Sequence, residues 1–260
     1  MTARDDGLEG KVAVITGGAS GIGQALAVAY ARAGAHSVIG VYPGDPYGAA
    51  DTIQLVEAAG GRCVAVEMDV RHTSGTDALA SAAIDSFGRL DIAIAAAGIL
   101  RRQSLEEMTD DAWDDMLQVD LAGVLRTFRS CAAVMAGAGA MVATSSIAGG
   151  VYGWENHSHY AASKAGVLGI CRSLAVELAP RKIRVNAVIP GLIESPQSLD
   201  GKNSLGKDGL EAAGRIIPWG RVGNVDEAAR VIRFLTSDDS AYVTGQQLIV
   251  DGGLTVRWPS

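Results

Sequence analysis

The sequence predicts an α/β fold in which a doubly wound parallel sheet of about seven strands is covered by helices on both faces. Short, continuous apolar runs such as residues 12–15 are typical of strands that are buried on both faces. Alanine-rich or periodic stretches, which are typical of helices, separate these runs. This alternation continues along almost the whole chain and favours right-handed βαβ units that share one sheet.

Each predicted strand is a short apolar run, and the runs lie at residues 12–15, 37–41, 63–66, 90–96, 140–144, 183–188 and 247–250. The intervening helices are predicted at residues 22–33, 47–59, 76–87, 111–135, 160–178 and 225–235. Gly34, Gly60 and Gly88 follow the first three helices, where glycine accepts the backbone conformation that ends a helix. Since no linker rich in proline and serine interrupts this order, we expect residues 1–260 to form one domain.

Residues 192–220 break the alternation. This segment contains Gly201, Gly206, Gly209, Gly214 and Gly220 together with Pro196 and Pro218. Such a stretch is either a mobile lid or a surface excursion. It follows the carboxyl end of a predicted strand, and open parallel sheets bind ligands at that edge, which favours a substrate lid.

Composition and charge exclude several classes of function. The chain has 48% hydrophobic and 20% charged residues, as is typical of a globular protein. Its net charge of -7, without a basic cluster, argues against a nucleic-acid partner. Cys63, Cys131 and Cys171 are widely spaced, so neither a disulfide framework nor a zinc site is indicated. The histidines and carboxylates show no spacing typical of metal ligands, and no metal is expected.

Other features of the sequence predict where in the cell the protein is located. Residues 1–10 carry Arg4, Asp5, Asp6 and Glu9, so this stretch does not have the pattern of a signal peptide. The longest apolar run, residues 92–100, is too short to cross a bilayer. Free thiols are typical of a reducing compartment, and we expect a cytoplasmic protein that does not bind membranes.

A glycine-rich turn follows the first predicted strand and precedes the first predicted helix. It reads Thr16-Gly17-Gly18-Ala19-Ser20-Gly21-Ile22-Gly23. Its glycines permit a tight turn and remove side chains that would block a phosphate. The N-terminus of the helix adds backbone N–H groups and the positive end of its dipole. This context favours a dinucleotide site over a plain turn.

A second motif, Tyr160 with Lys164, has the residue types needed for proton transfer. The two residues are four positions apart on a predicted helix, which places them on one face. Tyrosine has a pKa of about 10, and a neighbouring ammonium favours the phenolate and lowers that pKa. A serine hydroxyl can bind the oxygen of an alcohol or a ketone. Ser146 is the candidate for this role, and Ser145 is the alternative.

With these motifs the chain resembles the short-chain dehydrogenase/reductase family. The resemblance covers nearly the whole length and implies a Rossmann-like domain that interconverts a secondary alcohol and a ketone with NAD(P). It implies Tyr160 as general acid/base, Lys164 as the residue that lowers its pKa and binds the nicotinamide ribose, and Ser146 at the substrate oxygen. The other matching stretches are Met68-Asp69-Val70, Ala97-Gly98, Arg184-Val185-Asn186-Ala187-Val188, Pro190-Gly191, Thr244-Gly245 and Asp251-Gly252-Gly253.

The resemblance also implies which residues hold the cofactor. Those at the pyrophosphate and adenosine are Gly17, Ser20, Gly21, Ile22 and Gly23. Asp69 and Val70 are implied at the adenine, and Gly98 at the ribose with Ala97 beside it. Those at the nicotinamide end are Pro190, Gly191, Ile193 and Ser195, together with Tyr160 and Lys164.

The end of the second strand bears on the choice between NAD and NADP. An acidic residue is typical there in NAD-binding chains, but the position falls at Val41 or Tyr42. NADP-binding chains of the family usually have a basic residue there or at the position of Ser20, and residues 41–48 contain no lysine or arginine. Asp45 would repel a 2′-phosphate. The balance favours NAD(H) over NADP(H), with an NADPH-dependent ketone or 3-oxoacyl reductase as the alternative.

Two departures from the family pattern stand out. Ala95 and Ala96 occupy positions where the family often has two asparagines, and Asp120 occupies the family's fourth catalytic position, also an asparagine. That asparagine acts through its main chain in the family, so we expect activity to be retained. The Asp120 charge would favour protonated Lys164. The departures are also consistent with an alternative, a protein that binds a dinucleotide without catalysing a reaction. The presence of Tyr160 argues against this alternative, because binding alone does not require it.

The sequence leaves the substrate open. Residues 154–159, which include His157, either face the substrate or are exposed to solvent. Arg101 and Arg102 follow the fourth strand and either attract an anionic substrate or belong to a solvated loop. Neither segment predicts which substrate the protein binds.

The resemblance implies a homotetramer. In the family, two long helices and the C-terminal segment form the contacts between subunits. The matching parts of this chain are residues 111–135, 160–178 and 252–260.

Overall fold

The computed structural model describes residues 6–257. Arg4 and Asp5, on which the expectation about a signal peptide depends, lie outside the described residues, and so do residues 258–260 of the C-terminal segment. Within the range 6–257, no helix is both long and apolar enough to cross a membrane.

All the predicted strands and helices are present, with ends that differ by a few residues. The strands are β1 (Val12–Thr16), β2 (His36–Val41), β3 (Cys63–Glu67), β4 (Ile92–Ala95), β5 (Gly139–Thr144), β6 (Ile183–Pro190), β7 (Ile193–Glu194), β8 (Gly223–Asn224) and β9 (Gln247–Val250). The helices are α1 (Gly21–Ala31), α2 (Ala50–Ala58), α3 (Thr73–Phe87), α4 (Asp110–Leu117), α5 (Gly123–Val134), α6 (Ile147–Gly150), α7 (Ser158–Glu177), α8 (Pro196–Leu199), α9 (Gly206–Gly214) and α10 (Val225–Thr236).

Seven strands form one parallel sheet in the order β3-β2-β1-β4-β5-β6-β9, which confirms the predicted fold class. The order reverses between β1 and β4, which pair directly along residues 13–16 and 92–95. Connections on the two sides of such a reversal run in opposite directions, so a crevice opens at the carboxyl ends of the strands. The single domain expected for residues 1–260 stays a prediction, and the continuous sheet supports it.

The hydrophobic core lies on both faces of this sheet, because consecutive residues of a strand point to opposite faces. In β1, Val14 packs with Phe128 of α5 on one face, while Ile15 packs with Tyr30 of α1 on the other. Helices α3, α5 and α7 contribute to the first face, and α1 and α10 to the second. The two layers hold the carboxyl edge of the sheet in a fixed shape.

The helical stretch predicted at residues 111–135 is present but contains an irregular turn. It consists of α4, a π-helical turn at Gln118–Ala122, and α5. A π turn contains an additional residue and widens the helix locally. Asp120 lies in this turn and is fully buried. The sequence predicted the helical stretch but not this turn, because the apolar periodicity on either side does not reveal an inserted residue.

Residues 192–220 contain short elements of secondary structure. Strand β7 pairs with β8 outside the main sheet, and α8 and α9 lie between them in the chain. Ser195 caps α8 by accepting a hydrogen bond from the Ser198 N–H, and the Ser198 hydroxyl accepts one from the Ser195 N–H. The segment therefore has an internal framework, and its movement as a lid stays a prediction.

Candidate active site

The glycine-rich turn joins β1 to α1 at the carboxyl edge of the sheet. Gly17 has a φ of +69° and Gly21 a φ of +57°, conformations that favour glycine. Ser20 is the N-cap residue of α1, but its side chain makes no capping hydrogen bond. The first N–H groups of α1 are therefore left without a side-chain cap, and the turn fits the pyrophosphate of a dinucleotide.

A cleft of about 260 Å³ opens at the carboxyl ends of the strands beside this turn. It brings together the predicted cofactor residues Gly17, Tyr42, Asp69, Val70, Ala97 and Gly98. Asp45, Arg71 and Arg101 also line it. The cleft therefore unites the residues that the sequence assigned to the adenosine half of the cofactor with charged residues from three loops.

Arg71 is a residue of this cleft that the sequence reasoning missed. Its guanidinium forms ion pairs with Asp69 at 2.7 Å and Asp115 at 3.0 Å, and it donates a hydrogen bond to the Tyr42 hydroxyl at 3.2 Å. Burial raises the pKa of Asp69, but the hydrogen bonds and charge of Arg71 outweigh it, so that pKa is lowered. The position of Arg71 directly after the Asp69-Val70 pair was the signal available in the sequence.

A larger cavity of about 540 Å³ lies at the carboxyl ends of β5 and β6. Its lining includes the predicted cofactor residues Ile22, Pro190, Gly191, Ile193 and Ser195, together with Ser146 and Tyr160. Ser20, Gly21 and Gly23 line neither the cleft nor the cavity and stand at the start of α1. The residues implied at the nicotinamide and those implied at the substrate oxygen thus share one space.

Tyr160 and Ser146 reach this cavity from two elements. Tyr160 lies in the first turn of α7, and Ser146 follows β5 as the N-cap residue of α6. The Ser146 hydroxyl accepts a hydrogen bond from the Ala148 N–H at 3.1 Å, which fixes its position. Burial raises the pKa of Tyr160, whereas Lys164 and Ser146 lower it, and the net direction is upward. Lys164 thus lowers the pKa of Tyr160 as predicted, while burial of the phenol makes the larger, opposing contribution.

Lys164 is buried one helical turn from Tyr160 and forms an ion pair with Asp120. Their Nζ and Oδ2 atoms are 3.0 Å apart, with side chains that are 7% and 0% exposed. Asp120 Oδ1 accepts a hydrogen bond from the Ile99 N–H at 2.8 Å, and Lys164 donates one to the Thr144 carbonyl at 3.3 Å. The ion pair therefore joins α7, the π-helical turn and the loop after β4.

The pair changes the protonation of its members as the sequence reasoning expected. Burial lowers the pKa of Lys164, but the Asp120 carboxylate and the Tyr160 phenol outweigh it, and the net direction is upward. Burial raises the pKa of Asp120, Lys164 and the Ile99 N–H oppose that shift, and the net direction is upward. Lys164 thus stays protonated beside Tyr160.

The two adjacent serines have different surroundings. The Ser145 hydroxyl is buried and donates a hydrogen bond to the Lys164 carbonyl at 2.7 Å, which ties the end of β5 to α7. The Ser146 hydroxyl makes no such tie to α7 backbone and lies near the Tyr160 phenol. This arrangement favours Ser146 over Ser145 as the group that binds the substrate oxygen, as predicted.

The loop before α7 differs from its expectation. His157 neither lines the cavity nor is exposed: its two ring nitrogens bond to the carbonyls of Glu155 at 2.7 Å and Asn203 at 3.0 Å. Its ring stacks on Trp154 at 4.0 Å, and Trp154 lines the cavity. His157 therefore fastens residues 192–220 to the loop, a contact between distant segments that the sequence did not reveal.

The two arginines after β4 also have separate positions. Arg101 lines the nucleotide cleft and donates a hydrogen bond to the Leu100 carbonyl at 2.9 Å. The Arg102 N–H donates a hydrogen bond to the Asn203 side chain at 3.3 Å. Neither arginine lines the cavity that contains Tyr160.

Comparison with known proteins identifies the family. A family model described as "Enoyl-(Acyl carrier protein) reductase" matches residues 17–255. The 3-oxoacyl-[acyl-carrier-protein] reductase FabG of Thermotoga maritima is 39% identical over 254 residues, which are 96% of this chain and 99% of the relative. The cis-4-hydroxycyclohexanecarboxylate dehydrogenase of Sinomonas cyclohexanicum is 40% identical over 94% of this chain and 96% of its own.

Solved structures agree with this result. The crystal structure of levodione reductase matches with a TM-score of 0.88 at 31% identity, covering 96% of this chain and 99% of that chain. A short-chain dehydrogenase/reductase from Mycobacterium marinum matches equally well, at 31% identity over 96% of this chain and 97% of its own. The chain belongs to the short-chain dehydrogenase/reductase family. It is an NAD(P)-dependent oxidoreductase of the type that acts on CH–OH groups or the corresponding ketones.

The Asp120–Lys164 pair gives a prediction about stability. Asp120→Ala leaves Lys164 buried without its partner and the Ile99 N–H without its acceptor. We expect it to lower the free energy of unfolding by about 3 kcal/mol, measured by chemical denaturation. Asp114→Ala removes an exposed carboxylate from the same helical stretch and should change that energy by less than about 0.5 kcal/mol. Similar values for both variants would contradict the account of the pair.

Proposed function

We propose that the protein oxidises a secondary alcohol to a ketone with NAD⁺, and catalyses the reverse reaction with NADH. Tyr160 acts as the general acid/base, Ser146 binds the reacting oxygen, and Lys164 supplies the neighbouring positive charge. The observation that supports these roles best is the shared cavity, in which Ser146 and Tyr160 lie beside Pro190 and Ile193 of the nicotinamide end. This arrangement argues against a dinucleotide-binding protein without turnover.

The proposed oxidation removes a hydride and a proton from the secondary alcohol, that is, two electrons and two hydrogen nuclei. A nicotinamide held beside Pro190, Gly191 and Ile193 would supply the redox chemistry, as the acceptor of the carbinol hydride. Tyr160, as the phenolate, takes the hydroxyl proton as the C=O bond forms. The Ser146 hydroxyl donates a hydrogen bond to the same oxygen in both oxidation states. In the reverse direction the Tyr160 phenol returns its proton to the oxygen.

Lys164 and Asp120 are proposed to act through Tyr160. The Lys164 ammonium favours the phenolate, and by family resemblance it also binds the nicotinamide ribose. Asp120 fixes the position of that ammonium and keeps it protonated. Its negative charge also reduces the extent to which the ammonium lowers the Tyr160 pKa. Asp120 is therefore proposed as a positioning residue, whose side chain pairs with Lys164 in addition to any main-chain role that it shares with the family's asparagine.

The charges of the nucleotide cleft support NAD(H) as the preferred cofactor. Three carboxylates line it, those of Asp45, Asp69 and Asp115, against the guanidinium groups of Arg71 and Arg101. Arg71 is already paired with two of these carboxylates and has little charge to offer a 2′-phosphate. The Asp45 carboxylate would repel a 2′-phosphate.

A second candidate is NADPH-dependent reduction of a ketone or a 3-oxoacyl group. The name of the Thermotoga maritima relative favours it. Preference for NADPH would support this candidate, whereas the charges of the cleft argue against it.

Residues 192–220 are proposed to cover the substrate, since Leu192, Leu205 and Ile216 line the cavity and His157 binds the Asn203 carbonyl. The protein is proposed to work in the cytoplasm, because the three cysteines form no disulfide.

Removing the Tyr160 hydroxyl tests the central role. We expect Tyr160→Phe to lower kcat for alcohol oxidation by about a thousandfold, because the general base is lost, while NADH binding by calorimetry stays within about threefold. Tyr242→Phe removes a fully exposed hydroxyl and should leave both quantities as they are. Full turnover by Tyr160→Phe would exclude the proposed mechanism.

Asp120→Asn tests the influence of the ion pair on pH dependence. Alcohol oxidation requires the phenolate, so its rate rises with pH through the pKa of Tyr160, and the Asp120 charge raises that pKa. Removing the charge should shift the rising limb of the kcat/KM profile to lower pH by up to about one unit. Asp114→Asn, on the exposed face of α4, is the control. A shift to higher pH would contradict the assigned influence of Asp120.

Calorimetric titration tests cofactor preference. We expect NADH to bind at least about tenfold more tightly than NADPH, because Asp45 repels the 2′-phosphate. Asp45→Asn should narrow this difference by about threefold, whereas Asp51→Asn, on the exposed start of α2, should not. Tighter binding of NADPH would support the reductase candidate instead.

The assembly is proposed to be a homotetramer. Apolar side chains are exposed on the helices expected to form its contacts: Trp113 on α4, Leu125 on α5 and Val176 on α7. Light scattering should give four times the chain mass of 26.7 kDa. A monomer at micromolar concentration would refute this proposal.

A further inference from the structure

The cavity beside Tyr160 has apolar walls. They come from the loop after β4, from α6, from residues 192–220 and from the C-terminal segment: Leu100, Ala148, Leu192, Leu205, Ile216 and Leu254. None of the described residues that line this cavity carries a charged side chain. Ligand pockets of this kind take their affinity from apolar contact and their orientation from a few polar groups.

Most of the hydroxyl groups around the cavity already have protein partners. The Tyr152 hydroxyl donates a hydrogen bond to the Leu254 carbonyl at 3.1 Å, and Ser145 donates one to the Lys164 carbonyl at 2.7 Å. The hydroxyls of Ser195 and Ser198 lie within 3.4 Å of each other. A substrate with several hydroxyl groups would therefore meet few free partners.

The remaining polar side chains of the lining are neutral. They are Thr144, Gln197 and Ser204, together with Ser146 and Tyr160 at the reacting oxygen. These groups can satisfy a hydroxyl or a carbonyl, but they cannot compensate an ionised carboxylate that loses its hydration.

The charges nearest to the reacting oxygen do not attract an anion either. Lys164 is buried behind Tyr160, and its charge is balanced by Asp120 at 3.0 Å. Arg101 lines the nucleotide cleft rather than this cavity. On α9 and after it, Arg215 pairs with Glu211 at 3.3 Å, and both side chains are well exposed. Among the residues that the structure describes, no charged side chain lines the catalytic end of this cavity.

The size of the cavity limits the substrate further. Its volume of about 540 Å³ includes the space beside Pro190 and Ile193, which the nicotinamide end of the cofactor would share. The remaining space suits a small-molecule substrate. From the apolar walls, the neutral lining and the balanced Lys164 charge, we infer that the substrate is an uncharged, largely apolar secondary alcohol, or its ketone, of that size.

This inference rests on the proposed function, and matched substrates separate the two. 4-Methylcyclohexanol and 4-hydroxycyclohexanecarboxylate present the same ring and carbinol but differ in a methyl group against a carboxylate. We expect kcat/KM for the neutral alcohol to be at least about 100-fold higher, because the carboxylate would be desolvated without a partner. Equal values, or a preference for the carboxylate, would overturn the inference while leaving the proposed alcohol oxidation intact.

A pair of variants tests whether the lining sets this preference. Ile216→Arg adds a cation at an exposed position of the cavity wall, and we expect it to narrow the preference for the neutral alcohol by about tenfold. Leu199→Arg adds the same charge in the same segment, at an exposed position outside the lining, and should leave the preference unchanged. If both variants reduced the preference for the neutral alcohol equally, long-range charge rather than the cavity lining would determine that preference, and the inference would be overturned.

A binding measurement keeps the inference testable without turnover. 4-Methylcyclohexanone and 4-oxocyclohexanecarboxylate are titrated calorimetrically into the protein with NADH. We expect measurable binding of the neutral ketone and at least about tenfold weaker binding of the carboxylate. Failure of the neutral ketone to bind would overturn the inference. Binding of that ketone without Tyr160-dependent turnover of either alcohol would instead support the inference and refute the proposed reaction.

Discussion

The buried ion pair between Lys164 and Asp120 is the interaction on which the catalytic end of this protein depends. Two charges removed from water are stable together only when each has a close partner and its remaining hydrogen bonds are satisfied. Here Asp120 also accepts a hydrogen bond from the Ile99 N–H, and Lys164 donates one to the Thr144 carbonyl, so that α7, the π-helical turn, the loop after β4 and the end of β5 are held at one point. Tyr160, one turn earlier on α7, takes its position from this arrangement.

The same pair determines the electrostatic character of the site. An unpaired lysine beside the phenol would offer a full positive charge to the phenolate and to an anionic substrate. With Asp120 at 3.0 Å the charge is balanced, and burial of Tyr160 becomes the larger influence on its pKa. A site with little net charge and apolar walls favours neutral ligands, so the departure at position 120 and the composition of the cavity point to the same substrate chemistry.

The sequence predicted the fold well because its signals are local. Apolar runs mark the buried strands, and the glycine-rich turn and the Tyr160–Lys164 spacing can be recognised within a few residues. The missed features depend on contacts between distant segments. The π-helical turn that buries Asp120, the bonds of His157 to the Asn203 carbonyl and the Arg71 pairs with Asp69 and Asp115 are examples. The effect of burial on the Tyr160 pKa could not be predicted either, since burial cannot be read from spacing.

The most direct test of the account is a crystal structure of the protein with NADH and 4-methylcyclohexanone. The account predicts the ketone oxygen within hydrogen-bond distance of both the Tyr160 and Ser146 hydroxyls, with the ring against the apolar wall that includes Leu205 and Ile216. Lys164 should remain paired with Asp120 behind the phenol. A ketone oxygen bound elsewhere, or a ring outside this cavity, would contradict the assignment of the catalytic residues and of the substrate site.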